Sequence, residues 1–456
     1  SVQSRPSLIP LSYSQERLWF MDQLEGSVEY NTPAALRLSG QLNISALEQA
    51  LSLIVDRHEV LRTVFKEQGG QPYQFIKEKG GWHLSVIEGK KYQNDNNALR
   101  DYVKQLTSKP FDLSKDDMLR AELIKLAEEE HVLVVTMHHI ASDAWSIPII
   151  IKELAELYSS FVEGREAQLR PLQLQYADYA IWQRSHLTPE LLEEKINYWK
   201  TKLEDASPLQ LPTDYKRPAL RSTTGATTTF TVDKEVLTQL HKLSQQEGGS
   251  LYMTLLAAFK VLLYRYSGQQ DISVGASIAN RTQQEIEELV GFFVNTLVFR
   301  DEVKGDATFT DLLRQVKATT LGAYEHQEVS FEKVVEVVVK ERDPGVSPLF
   351  QVMLVMQNTP EAPQLKLGEL TLSGESYEHT ISKFDLTFFV NETAGGLKGM
   401  VQYRTDLFKA ETIEKMMSHF KQLLVSVTKD PLQKVGQLPM LSAAEQQELL
   451  TSFSVN

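Results

Sequence analysis

Two adjacent histidines and an aspartate carry the chemistry that residue type and spacing make available: His138, His139 and Asp143, in the stretch MHHIASDAWS. A neutral imidazole near its ordinary pKa can accept and return a proton. The apolar run HVLVVTMHH, residues 131–139, predicts a buried strand. Successive strand side chains face opposite sides, so the two histidines cannot share one task. One points into packing and the other toward a cleft. The same geometry argues against a metal pair here, and no metal is expected. Asp143 lies beyond the strand and can turn back to hold a ring or pair with a distant arginine. On spacing alone, a buried polar cluster that merely closes a strand end is the competing reading.

Other catalytic patterns are missing. The segment VGASIAN, residues 274–280, does not match GxSxG, and there is no GxxxxGK[ST] or GxGxxG. GGS at 248–250 reads as a loop and helix cap. The chain has no cysteine, which excludes disulfides, thiolate nucleophiles and Cys-ligated metals. What is left is histidine chemistry without a covalent nucleophile or an intrinsic cofactor.

The elements that must position these residues are mixed α and β. Residues 44–57 have helical apolar spacing with Asn43 as cap, and 147–162 read as a helix with Ser146 as cap. Asp233 and Ser250 cap two further helices, the second ended by Gly268. Strands are expected at 271–279, 292–300, 348–358, 384–391 and 398–404, and a last long helix at 410–427. The polar, Pro-bearing stretch after residue 164 suggests a lobe boundary. The expectation is two α/β lobes, 1–172 and 173–440, with 441–456 a short helix running into a linker. At 456 residues, about 150 per domain would allow three domains, and one two-lobed unit is equally compatible.

Composition narrows the partners. Lys and Arg total 47 against 60 Asp and Glu, a net charge of −13 with no basic stripe, so nucleic acid is not the expected partner. No apolar run reaches the ~20 residues of a membrane span, and the start SVQSRPSLIPLSYSQERLWF lacks signal-peptide architecture. A cytoplasmic location is expected.

HHIASDAWS resembles the HHxxxDG signature of condensation domains of nonribosomal peptide synthetases, and the family's other blocks follow in order. LSYSQERLWFMDQL (11–24) is similar to SxAQxRLWxL, RHEVLRTVF (57–65) to the second block and YADYAIWQR (176–184) to YxDYAxW. VGFFVNTLVFR (290–300) resembles GxFVNT and ERDPGVSPLFQVML (341–354) resembles RDxSxxPLFQ. HQEVSFEKVVE (326–336) resembles HxDxPFE, with Glu328 and Ser330 for Asp and Pro. The resemblance runs from about Ile9 to about Leu441.

It implies two chloramphenicol acetyltransferase-like lobes in a V-shaped pseudo-dimer, with a substrate tunnel between them. It implies donor and acceptor peptidyl carrier proteins bringing thioesters on phosphopantetheine arms, a neighbouring adenylation domain, and amide formation by attack of the acceptor amine on the donor thioester. The chain is expected to be a monomeric piece of a larger synthetase. His139 matches the catalytic position, as a proton acceptor or as a hydrogen-bonding guide for the amine. His138 would face packing. Asp143 matches a structural ion-pair position, with Arg281 its candidate partner across the lobes. Trp145 and Asn295 would line the tunnel. Gln15, Arg17, Arg57 and Arg62 would be architectural, and Tyr179 and Trp182 helix packing. Ala144 stands where the family has Gly, which would strain the chain if φ were positive there and would place a methyl group beside His139. An epimerization-type domain and a catalytically silent recruitment platform are the alternatives.

Overall fold

The structure, a computed structural model, describes residues 4–357, 365–367, 370–374 and 382–453. The chain divides into two compact units. The first comprises Ser1–Leu191, Ala279–Val294 and Pro360–Tyr377; the second comprises Leu192–Ile278, Asn295–Thr359 and Glu378–Asn456.

The first unit holds helices α1 (Tyr13–Glu25), α2 (Ile44–Arg57), α3 (Asn96–Thr107), α4 (Ser146–Glu163) and α5 (Tyr176–His186). Its strands are β1 (Asn31–Ser39), β2 (Thr63–Gln68), β3 (Gln71–Ile76), β4 (Ser85–Glu88), β5 (Leu119–Ala127) and β6 (Glu130–His138). Helix α6 (Pro189–Leu203) begins at the division between the units. The second unit continues with β7 (Gly225–Asp233), α7 (Lys234–Gln246), α8 (Leu251–Ser267), β8 (Asp271–Ile278), β9 (Asn295–Glu302), α9 (Phe309–Glu325), α10 (Phe331–Val338) and β10 (Val352–Met356). Two late strands, β11 (Leu365–Leu367) and β12 (Leu370–Gly374), belong to the first unit. The second closes with β13 (Leu386–Thr393), β14 (Gly396–Arg404), α11 (Ala410–Lys429) and α12 (Ala443–Phe453).

The first unit's main sheet has the order β11-β12-β1-β6-β5-β4, beside a β2-β3 hairpin; the second unit's sheet runs β7-β14-β13-β10-β8-β9. Strand β6 lies between β1 and β5, antiparallel to both, so its backbone is paired on both edges up to its end near the histidines. The side of that sheet bearing Leu36, Leu133, Val135 and Met137 packs with α2 and α4 in one core. The other side packs Val132 and Val134 against Leu99, Val103 and Leu106 of α3. A separate core around Phe259, Phe299, Phe388 and Phe420 fills the second unit. Among the described residues no helix is long and apolar enough to cross a membrane.

Several elements follow local sequence signals. The Asn43 side chain accepts from the Ala46 amide at 3.0 Å, and Leu47, Leu51 and Ile54 are buried. Ser250 accepts from the Met253 amide, and Gly268 closes α8 in the left-handed region at φ 71°. Other elements differ from expectation. Helix α4 starts at Ser146 itself, because the amide of Ser146 is held by Asp143 while Trp145 occupies the cap position without a side-chain cap bond. The strand expected from residue 292 begins at Asn295, because Asp143 takes the amides of Phe293 and Val294 away from any ladder. Asn358, the end of the strand expected at 348–358, and the last residues of the 441–456 tail lie outside the described residues. Helix α5, placed by composition in the second lobe, clusters with the first unit, whose first segment runs on to Leu191. The cause is long-range packing: Tyr176 and Tyr179 are buried in the first unit's core.

Candidate active site

His138 and His139 part company as strand alternation requires. His138 closes β6 and is fully buried, its ring edge-on to Phe111 at 5.7 Å. Its Nδ1 accepts the Ile140 amide at 3.0 Å, so Nε2 carries the proton and donates to Ser27 Oγ at 2.7 Å. Ser27 in turn donates to Asp22 Oδ1 at 2.5 Å. Burial, with the His139 ring adding to it, pulls the His138 pKa down to about 3. A neutral ring with both nitrogens engaged is a staple between the α1 end and the loop.

His139 is half-buried, the first residue beyond the strand, and its amide donates to the Tyr30 carbonyl at 2.8 Å. Its Nδ1 lies 2.5 Å from the Ser142 carbonyl. A carbonyl only accepts, so Nδ1 bears the hydrogen and, in the neutral ring, Nε2 bears the lone pair. The ring has Phe292 on one flank at 4.3 Å between centroids, tilted 56°, and the stacked Tyr30 ring at 6.5 Å.

Asp143 is fully buried and organises the loop. Oδ1 accepts from the Ser146 amide at 3.1 Å and from Arg281 Nη2 at 3.1 Å; Oδ2 accepts from the Phe293 and Val294 amides at 2.9 and 3.0 Å. Asp143 and Arg281 both belong to the first unit, through the segment Ala279–Val294, rather than facing each other from separate lobes as expected. Arg281 also donates to the Ile286 and Leu289 carbonyls, and its guanidinium lies 4.5 Å from the Phe293 ring centre. The carboxylate is thus paired and hydrogen-bonded, the condition under which a buried charge is tolerated.

The motif blocks meet around this loop. Gln15 donates to the Ile140 carbonyl at 3.1 Å. Tyr176 donates to the Phe292 carbonyl at 2.7 Å, so its oxygen takes the Ser12 hydroxyl at 2.8 Å as acceptor. Gly291 donates to Ser146 Oγ at 3.1 Å. A Cβ on Gly291 would come within 2.4 Å of the Tyr176 ring, so only glycine lets these two elements approach. Tyr179 packs its ring 4.8 Å from Phe293, and Trp182 stacks on His186 at 4.7 Å.

The remaining expected residues are placed as follows. Trp145 is half-buried and is not among the side chains packed on either core of the first unit. Ala144 is exposed and is not among the described residues with positive φ, so a methyl group there carries little backbone cost. Asn295, in the second unit, donates to the Gln327 and Val329 carbonyls at 2.7 and 2.8 Å and accepts the Phe331 amide at 3.0 Å. Its amide braces the 327–331 segment, where Ser330, standing for the family's Pro, caps α10 by accepting from the Lys333 amide. Arg57 lies 2.7 Å from Glu153, which also meets His58, and Arg62 donates to the Lys77 and Asp56 carbonyls. Arg17, on α1, is exposed, unlike the buried Arg62. Sequence reasoning passed over Tyr30, Ser27 and Phe292. The only signal for Phe292 was its place as the variable residue of GxFVNT; the other two had none.

A family model described as "Condensation domain" matches residues 7–450. A component of the linear gramicidin synthase of Brevibacillus parabrevis is 43% identical over 99% of this chain, and malpinin synthetase of Mortierella alpina is 40% identical over 99%. The chain spans only 6% of each of those two proteins. Among solved structures, the X-domain in complex with OxyB from teicoplanin biosynthesis superposes with a TM-score of 0.82 at 29% identity, covering 96% of this chain and 97% of that one. A holo four-domain nonribosomal peptide synthetase, AB3403, gives 0.79 at 22% identity over 97% of this chain and 34% of that one, a likeness of fold.

Proposed function

The chain belongs to the condensation-domain family of nonribosomal peptide synthetases, and from that premise we propose that it joins a donor acyl or peptidyl thioester to the amine of an acceptor aminoacyl thioester. Both substrates would ride on phosphopantetheine arms of carrier proteins, within a synthetase that also holds an adenylation domain. The carrying observation is the orientation of His139: Nδ1–H is spent on the Ser142 carbonyl, and the lone pair resides on Nε2.

The amine nitrogen attacks the thioester carbonyl, forming the C–N bond. Nε2 accepts a proton from that nitrogen as the tetrahedral adduct forms. The C–S bond then breaks, and the departing pantetheine sulfur takes the proton, so the imidazole ends as it began. A thioester is activated and an amine is a good nucleophile, so alignment of the two supplies much of the rate. Trp145, beside the loop and outside the first unit's cores, would border the substrates. His138 cannot replace His139, since both its nitrogens are engaged.

His139→Ala, assayed with both carrier proteins loaded, should lower amide formation by at least about a hundredfold, within the range of acid–base and positioning contributions. Near-normal product would remove His139 from the mechanism. A second reading, a silent recruitment platform, is favoured by the solved X-domain bound to OxyB. It predicts no amide from the unaltered chain with any loaded pair.

A further inference from the structure

We propose that Phe292 is a positioning residue that fixes the plane of the His139 imidazole; this rests on the reading of His139 as the group that meets the amine. The hydrogen bond at Nδ1 sets the ring's tautomer, but a hydrogen bond is an axis and does not by itself fix a plane. The Phe292 ring, 4.3 Å away and tilted by 56°, lies against the imidazole and blocks rocking about that axis on one side. The Tyr30 ring is farther off, at 6.5 Å, and constrains the imidazole less closely.

The mount of Phe292 makes it suited to this task. Its own carbonyl is held by Tyr176 at 2.7 Å. The amides of Phe293 and Val294, just after it, are held by Asp143. Gly291, just before it, is held by Ser146. The backbone at 291–294 is therefore pinned on both sides of one half-buried aromatic side chain. Asp143, Ser146 and Tyr176 each hold this backbone, while the Phe292 side chain itself meets the candidate catalytic ring. An assembly this closely tied is more than is needed to bury one phenyl group. It converts the Asp143–Arg281 pair, which lies under the loop, into control over the direction of His139 Nε2.

The test uses the whole chain with ring-¹³C-labelled histidine, in unaltered, Phe292→Leu and Phe292→Ala forms. Relaxation of the His139 ring C–H bonds should show a fixed ring in the unaltered protein and a rocking ring in Phe292→Ala. Amide formation with loaded carriers should fall about tenfold in kcat for Phe292→Ala with KM changed less than twofold. Phe292→Leu, which refills the space, should recover most of both signals. An unchanged ring mobility and kcat in a folded Phe292→Ala protein would overturn the proposal, as would a loss confined to KM. If the unaltered chain makes no amide, the functional reading fails, and the ring relaxation alone still decides whether Phe292 positions His139.

Discussion

Two of the buried ion pairs, one from each unit, serve different ends. In the first unit Asp143 faces Arg281, and the carboxylate's other donors are amides of residues 146, 293 and 294. In the second, Lys260 of α8 meets Asp301 of β9 at 2.6 Å, both side chains fully buried. The Lys260 ammonium also donates to the Phe299 and Ile272 carbonyls, and Thr319 donates to Asp301 at 2.5 Å. Burial presses the Lys260 pKa below its ordinary value, and Asp301 opposes that shift. One pair fastens irregular loops beside the candidate catalytic ring. The other fastens a helix to strands inside a finished core. Burial and charge are alike in the two; the difference is in what each pair holds.

Removing Asp143 tests the distinction most severely. Asp143→Ala strands Arg281 and frees the Phe293 and Val294 amides. It should cost about 3–5 kcal/mol in urea unfolding, and the surviving folded protein should lose at least about tenfold in amide formation. Lys260→Met leaves Asp301 without its ammonium and should also cost about 3–5 kcal/mol, yet activity per folded molecule should match the unaltered chain. Equal activity losses in both variants would abolish the contrast. A smaller effect comes from the staple beneath the loop. The folded His138 pKa is about 3, against 6.5 unfolded, so between those values the unfolded state binds more protons. Stability therefore falls as pH drops below 6.5, by about 2 kcal/mol at pH 5 for this group. His138→Gln should flatten the stability curve between pH 6.5 and 5 by close to one proton; an unchanged slope would show that other groups govern acid sensitivity.

Sequence legibility tracked the distance over which a signal acts. Asn43, Ser250 and Gly268 mark helix ends because a cap is a bond to residues three or four positions away. Strand alternation separated the two histidines because the period of a strand is local. The late start of β9 was hidden, since the group that takes its first amides lies some 150 positions earlier. Tyr176 sits in a recognisable block, but nothing in that block says that its hydroxyl holds the Phe292 carbonyl. The Asp143–Arg281 pairing was legible only through motif resemblance, because no spacing rule links those two positions. Tyr30 and Ser27 act through contacts that leave no local pattern.

The register Ser39 to Thr371 places a late segment at the rim of the earliest sheet. During synthesis, β1 must wait with an unsatisfied edge until residues 370–374 have left the ribosome, an invitation to misannealing in the interim. Recombining synthetases by splicing at residue 172 or 191 would separate β1 from β12, leaving one parent's ribbon to zip onto another's. Graft points that keep these two strands from a single source avoid that mismatch.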